Sequence, residues 1–371
     1  MLEWKLIRLG DICLTNKSSY SSKDNWKFVN YLDTGSLTEN KITELQYINI
    51  EMDKMPSRAR RKVIKNSILY STVRPNQLHY GIIKEPVDNL LVSTGFTVID
   101  VDTNKAIPEF IYYLLTQNNT TEQLQAIAEQ SVSTYPSIKP SDIENLEFKL
   151  PNLIIQSKIV SILDTIDSKI RQNEKINNNL EQQTQAIYSR MFIEHRQESW
   201  STGQLSDLIS VKYGKDHKKL ADGNYPVYGS GGIIRYVEKP LHTGESVLIP
   251  RKGTLNNVIY VNEAFWSVDT MFYTEMLHPN IAKFVYHFVK SKDLASLNAG
   301  SAVPSMTTHI LNAMQLYIPD EKTLEKFENI VSPMYSAMQE NTKESKILAN
   351  TRDTLLPKLM SGELDVSDID L

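Results

Sequence analysis

Residues 151–191 read PNLIIQSKIVSILDTIDSKIRQNEKINNNLEQQTQAIYSRM, and residues 319–359 read PDEKTLEKFENIVSPMYSAMQENTKESKILANTRDTLLPKL. In the first stretch Ile159, Leu163, Ile166, Ile170, Asn173, Asn177, Leu180, Thr184, Ile187 and Met191 fall four and three apart. A displacement of 168 gives Phe327, Val331, Met334, Met338, Asn341, Ser345, Leu348, Arg352, Leu355 and Leu359. Each series is a heptad seam with a polar layer in its middle. Helices over 156–192 and 324–360, about 37 residues each, would be about 55 Å long, more than a globular core requires. The spacing predicts that they pack on each other. Antiparallel packing is expected, because the segment 195–320 then starts at the end of one helix and finishes at the start of the other. Asn173 and Asn341 are expected to meet at the centre and fix the register at some cost in stability. Leucine at both positions should therefore raise the melting temperature and loosen the register.

The repeat extends outward from the helices. Pro136-Ser137 and Pro151 return as Pro304-Ser305 and Pro319, displaced by 304 − 136 = 168. Further back the order of landmarks persists while the offset grows. Phe110 and Tyr112 match Phe284 and Tyr286, Thr94 and Phe96 match Thr270 and Phe272, Arg74 matches Arg251, and Trp4, Leu9 and Asp11 match Trp200, Leu205 and Asp207. The first copy is the longer, with most of its surplus between Trp4 and Arg74, as insertions in surface loops would give. Two similar halves with divergent loops imply two related tasks.

Composition narrows the class. The 371 residues suit two domains plus connecting structure, and 41% hydrophobic with 23% charged residues is ordinary for a globular protein. Cys13 stands alone, which excludes internal disulfides and cysteine zinc sites and fits a reducing compartment, so the cytoplasm is expected. MLEWKLIRLGDI carries charges where a signal peptide needs an apolar run, and no stretch approaches a membrane span. The net charge of −4 means that any nucleic-acid surface must be a local patch.

VSTGFTVIDV and SVDTMFYTEM alternate like strands, whereas PEFIYYLLTQ, with Pro108 in its first turn, and IAKFVYHFVKS, preceded by Pro279, have helical spacing. The expected fold class is α+β: two globular domains of mixed helix and strand, residues 1–150 and 195–318, joined by two long antiparallel coiled-coil helices, residues 151–194 and 319–362, in a pseudo-two-fold internal repeat. An acidic tail, 363–371, follows.

The run YPVYGSGGIIRYVEKPLHTGESVLIPRKGTLNNVIYVNEAFWSVDTMFY, then a helix, a G-S-x-V-P-S segment, a proline and a long coil, resembles a target-recognition domain of the specificity subunit of Type I restriction-modification systems. The most specific parts are YGSGG at 228–232, RKGT at 251–254, DTMF at 269–272 and LPKLMSGEL at 356–364, and the likeness spans essentially the whole chain. The first domain departs from it: STVRPN stands for RKGT, and no YGSGG occurs. The resemblance implies a subunit without its own catalysis and with no cofactor. It implies that each domain reads one half of a bipartite double-stranded DNA target, that the helices set the spacer, and that two methyltransferase subunits dock on this scaffold, with restriction or translocase subunits able to join.

Within that frame, residue chemistry selects candidate contacts. The YGSGG turn, with Ser230 at its centre, offers amides for close approach to phosphate. Arg251 can bind a guanine edge bidentately, and Lys252 suits phosphate; Thr254 and Asn256 flank them. Lys215 and Lys218, with His217 and Lys219, form a second cluster. In the first domain Lys54, Arg58, Arg60, Arg61, Lys62 and Lys65 form a run without an acid, suited to several phosphates. Arg74, Asn76, Gln77 and His79 follow, and Asn or Gln can pair with adenine. Tyr80, Trp4 and Trp200 read as packing residues. Each charged cluster has a plainer reading as a solvated surface.

Two other classes compete. Pro140, Asp142, Glu147 and Lys149 imitate the P-D…E-x-K set of metal nucleases, but the spacing is tight, and the second copy has Ile310, Gln315 and Tyr317 there. A methyltransferase would need a cofactor loop and an N-P-P-Y or D-P-P-Y motif, which are absent; GSGG has no helix after it, and the seven histidines show no metal spacing. A coiled-coil scaffold for proteins alone explains the helices but leaves the divergent loops without a purpose.

Overall fold

A computed structural model describes residues 4–130, 135–297 and 305–369; of the G-S-x-V-P-S segment only Ser305 lies among the described residues. The chain divides into two compact units, residues 1–171 with 344–371, and residues 172–343. The first unit contains β1 (Lys5–Arg8), β2 (Cys13–Thr15), β3 (Phe28–Leu32), β4 (Leu37–Thr38), β5 (Lys41–Ile42), β6 (Gln46–Asn49), β7 (Ala59–Lys62), β8 (Ser67–Ser71), β9 (Tyr80–Ile83), β10 (Leu90–Ser93) and β11 (Phe96–Val101). Helices α1 (Pro108–Leu115), α2 (Asn118–Glu129) and α3 (Pro140–Glu144) follow, then β12 (Glu147–Leu150) and the long α4 (Leu153–Tyr188). In the second unit β13 (Ser201–Gln204), β14 (Ile209–Tyr213), β15 (Asp222–Gly229), β16 (Gly232–Val237), β17 (His242–Pro250), β18 (Ile259–Ser267) and β19 (Met271–Met276) lead to α5 (Ala282–Lys290), α6 (Thr308–Asn312), β20 (Gln315–Ile318) and α7 (Glu321–Ser361).

The second unit has one six-stranded sheet in the order β14-β19-β17-β18-β15-β16, with β15 and β18 parallel. The first unit has the same plan in two four-stranded pieces, β2-β11-β8-β9 and β6-β3-β10-β7, with β3 and β10 parallel. There β7 and β8 share the role of β17, and β9 and β10 share that of β18. The breaks coincide with Asn66 (φ 66°) and Asn89 (φ 55°), whose left-handed backbone cannot continue a pleat. In each unit a short antiparallel pair, β1 with β12 or β13 with β20, ties the start of the unit to its last strand.

Strand pairing corrects the equivalences expected from the sequence. Phe96 stands opposite Ser71, and Met271 stands opposite Pro250, so Met271, not Phe272, is the counterpart of Phe96. Bridges join Val73 to Ser137 and Lys252 to Ser305. Val73 is therefore the counterpart of Lys252, and Arg74 is that of Gly253 rather than of Arg251. Both are left-handed, with φ of 48° and 85°. Matching arginine to arginine missed this because backbone position, not side-chain type, defines the place.

The two long helices run antiparallel within each unit. In the first, Lys169 meets Glu344 at 3.3 Å and Asp167 meets Arg352 at 2.9 Å, so a step back along α4 is a step forward along α7. In the second, Asn173 Nδ2 lies 3.4 Å from the carbonyl of Asn341, and Asn177 Nδ2 donates to the carbonyl of Met338 at 3.1 Å. The amide-to-amide bond is made by another pair than Asn173 with Asn341: Asn341 Nδ2 donates to Asn177 Oδ1 at 2.8 Å.

Each unit's first helix after the sheet packs on this helix pair. Phe110, Ile111 and Leu114 share a core with Ile159, Leu163 and Leu359, while Phe284, Val285 and Phe288 share one with Tyr188, Phe327 and Val331. Polar contacts cross at matching places with different chemistry. Tyr113 donates to Asp167 at 2.8 Å in the first unit; at its counterpart His287, Nδ1 lies 2.9 Å from Gln185 Oε1 and Nε2 lies 3.0 Å from the Tyr335 hydroxyl. The buried Lys283 joins Glu245 at 2.8 Å and Glu328 at 2.6 Å. No helix among the described residues is long and apolar enough to cross a membrane.

Candidate nucleic-acid interface

In the second unit the strands β15 and β16 turn through Ser230 and Gly231, with Gly229 paired to Gly232. The carbonyl of Ser230 accepts from Asn257 Nδ2 at 2.6 Å. Gly253 packs over the same serine, where a Cβ would come within 2.9 Å of Ser230 Oγ. The adjacent Arg251 donates its backbone N–H to Thr270 and its Nη1 to the carbonyl of Asp269, at 2.8 and 3.2 Å, and its guanidinium lies 5.5 Å from the centre of the Tyr213 ring. Lys252 bridges to Ser305. YGSGG, RKGT, DTMF and Ser305, far apart in sequence, thus meet at one end of the sheet. Lys215 joins them, its N–H donating to the carbonyl of Ser267 and its own carbonyl accepting from Trp266 Nε1, both at 2.8 Å.

Lys215, Lys218, Lys252 and Thr254 are exposed, whereas Arg251 and Ser230 are half-buried. Asn256 is exposed too, but its amide is engaged at both ends, donating to Asp293 Oδ1 and accepting from the N–H of Ala295, each at 3.0 Å. That donor holds the Asp293 carboxyl below its usual range. The Lys218 N–H likewise lowers Asp216, aided by the lysine charge.

In the first unit the turn between β10 and β11 gathers the candidates. Thr94 N–H donates to the carbonyl of Arg58 at 2.9 Å, and Thr72 N–H donates to that of Gly95 at 2.8 Å, which places Arg58 of the basic run beside the segment that starts at Thr72. Arg58, Arg60, Arg74, Asn76 and Gln77 are exposed, and Arg61 is half-buried on β7. Arg74 stands 5.1 Å from the Tyr135 ring. Lys62 turns inward: it pairs with Asp24, lies 5.2 Å from the Trp26 ring centre, and lowers the Asp24 carboxyl through their hydrogen bond. His79 is held by the carbonyl of Leu37 at 2.7 Å, and Tyr80 is buried against Tyr70. Where the second unit has its two-residue turn after Gly229, the first has residues 33–45 with the hairpin β4–β5. Much of the extra length of the first copy lies there.

This duplicated frame, with different side chains at the same strand ends, agrees with sequence comparison. Residues 1–182 and 197–348 match the family described as Type I restriction modification DNA specificity domain. The chain belongs to that family. Its role is recognition of a DNA target in a Type I restriction-modification system. It is 23% identical to the Type I restriction enzyme HindI specificity subunit of Haemophilus influenzae, over 98% of this chain and 100% of that one. It is 20% identical to the MjaIX specificity subunit of Methanocaldococcus jannaschii, over 98% and 94%. The crystal structure of a Type I S subunit from M. genitalium shares the fold, with a TM-score of 0.61 at 19% identity, over 99% of this chain and 97% of that one.

In this specificity protein the groups that imitate a nuclease have structural work. Asp142 Oδ2 accepts the N–H of Lys139 at 2.7 Å and caps α3, while Glu147 and Lys149 sit on β12, paired with Arg8 and Leu6. Burial above all pushes the Cys13 thiol up to about 12, so it stays protonated. No group of three or more His, Cys, Asp or Glu among the described residues is placed to hold a metal ion. Tyr213, Asn257 and Tyr135, which position the basic side chains and turns, carry no signal in the sequence, whereas Asp269 opens the DTMF motif. Asn257 adjoins Asn256, and only the fold reveals which of these two consecutive asparagines reaches Ser230.

Proposed function

We propose that the globular domains, residues 1–150 and 195–318, each read one half of a bipartite DNA target, and that the helices over 151–194 and 319–362 set the spacer and carry two methyltransferase subunits. The chain acts without catalysis of its own, in the cytoplasm, and restriction subunits join the same assembly. The observation that carries this reading is the shared strand-end platform with unlike side chains. Around it the first unit offers Arg74, Asn76 and Gln77, with Arg58, Arg60 and Arg61 at the start of β7 and along it; the second offers Ser230, Arg251, Lys252, Thr254 and Lys215, with Lys218 in the loop that follows. The first set combines phosphate-binding cations with amides suited to adenine, while the second pairs an arginine suited to guanine with lysines suited to phosphate. Lys62 and Asn256 support their loops through the internal contacts already described. Asn173, Asn177 and Asn341 hold the helix register. Sequencing methylated bases in cells with and without the chain tests the reading. One bipartite adenine-methylation motif should vanish on deletion; an unchanged methylome would refute it.

A further inference from the structure

The chain's last segment occupies a seat in the first unit. It leaves α7 at Gly362, which packs against the Trp4 ring, and the Leu364 N–H donates to the carbonyl of Lys358 at 3.1 Å. Val366, 2% exposed, enters the core that contains Ile159, Leu163 and Leu359. Lys158 Nζ donates to the carbonyl of Ser367 at 2.6 Å.

The second unit repeats the walls of this seat. A displacement of 168 relates Lys158 to Lys326, Ile162 to Ile330, Ile187 to Leu355 and Met191 to Leu359, and Trp200 answers Trp4 at a displacement of 196. Here the chain passes from the end of α4 through the helical turn Ser189–Glu194 to Trp200, and residues 195–199, which stand for the tail residues 363–367, are exposed rather than seated. A groove of about 590 Å³ lies between these walls, with Arg190 and His195 also lining it. Exposure follows the difference. Leu359 is 2% exposed but Met191 is half-buried; Lys158 is half-buried but Lys326 is exposed; Ile162 is half-buried but Ile330 is 41% exposed.

We propose that this groove binds an extended acidic segment of a different protein chain, seated as Val366 and Ser367 are seated in the first unit. A branched aliphatic side chain fills the space beside Ile187, Met191 and Ile330. Lys326 donates to a backbone carbonyl, and carboxylates face Arg190 and Lys326. The charge agrees: the tail that fits the first seat carries Glu363, Asp365 and Asp368 around its apolar anchor. The chain's own tail is already engaged, so the occupant comes from elsewhere.

A fluorescein-labelled peptide GELDVSDIDL, the sequence of residues 362–371, serves as the probe for anisotropy titration of the full chain. Saturable binding is expected, weakened at least tenfold by Lys326→Glu with Ile330→Asp, both at exposed positions, and abolished when aspartate replaces the peptide's valine. Thermal melts of the variant should match the parent, which separates lost binding from lost folding. Absence of saturable binding would overturn the proposal, as would binding indifferent to the double variant but lost in Lys158→Glu, since the peptide would then be exchanging into the first seat. Self-association of the chain that the peptide dissolves would assign the groove to a second copy and overturn the foreign occupant.

Discussion

His287 offers a quantitative test of how the second domain is seated on the helix pair. The ring is fully buried, 5.5 Å from the Tyr188 ring, between Gln185 and Tyr335. Burial, aided by the Lys290 charge and opposed by Glu181, draws its pKa from 6.5 down to about 4. In the unfolded chain the imidazole protonates near its ordinary value. Between pH 6.5 and pH 4 the unfolded state therefore binds more protons, and stability falls as acid is added. At pH 4.5 the loss relative to pH 7.5 is about 2.5 kcal/mol. His287→Gln removes this titration while keeping a polar side chain. Hydrogen exchange of the α5 amides reads the opening free energy locally, which suits a chain of two units that need not unfold together. At pH 7.5 the variant should open more easily by about 1–2 kcal/mol, through weakened hydrogen bonds. At pH 4.5 it should equal or exceed the parent. Neighbouring carboxylates titrate in both proteins and largely cancel in the difference. A gap that stays constant from pH 7.5 to 4.5 would refute the buried, neutral histidine.

Lys283→Met strands Glu245 and Glu328 without their shared cation and should cost about 3–5 kcal/mol, read by the same exchange in α5; a loss under 1 kcal/mol would contradict a bridging role. Asn341→Leu removes the donor to Asn177 and should lower the melting temperature, whereas leucine at both 177 and 341 should recover it with a looser register, visible as altered cross-linking between cysteines placed along α4 and α7. Deleting one heptad from each long helix should change the preferred spacer in the methylation motif and leave both half-sites intact; an altered half-site would contradict the helices' role in setting the spacer.

The helices were legible because a seam sustained over about ten positions in two copies has no strand interpretation. Their direction was legible from connectivity, but the amide partner was not: Asn173 and Asn177 lie one turn apart, and only the axial stagger selects Asn177 for Asn341. The recognition domains were legible as mixed helix and strand. Their sheets were not, because Asn66 and Asn89 interrupt strands that continue unbroken in the second copy. Motif chemistry located YGSGG and RKGT, whose proximity needs the fold. It misplaced Arg74, since an arginine in a left-handed turn occupies the position that glycine fills elsewhere. Lys62 and Asn256 had the right residue type for nucleic-acid contact, yet Asp24 and Asp293 engage them within the fold.

The proposed function has two like domains read two different half-sites. Sequencing methylated bases in cells that carry Arg251→Ala with Lys252→Ala, beside cells with the parent chain, tests it most directly. The half-site read by the second domain should become degenerate or be lost while the other half keeps its sequence. Equal relaxation of both halves would contradict it.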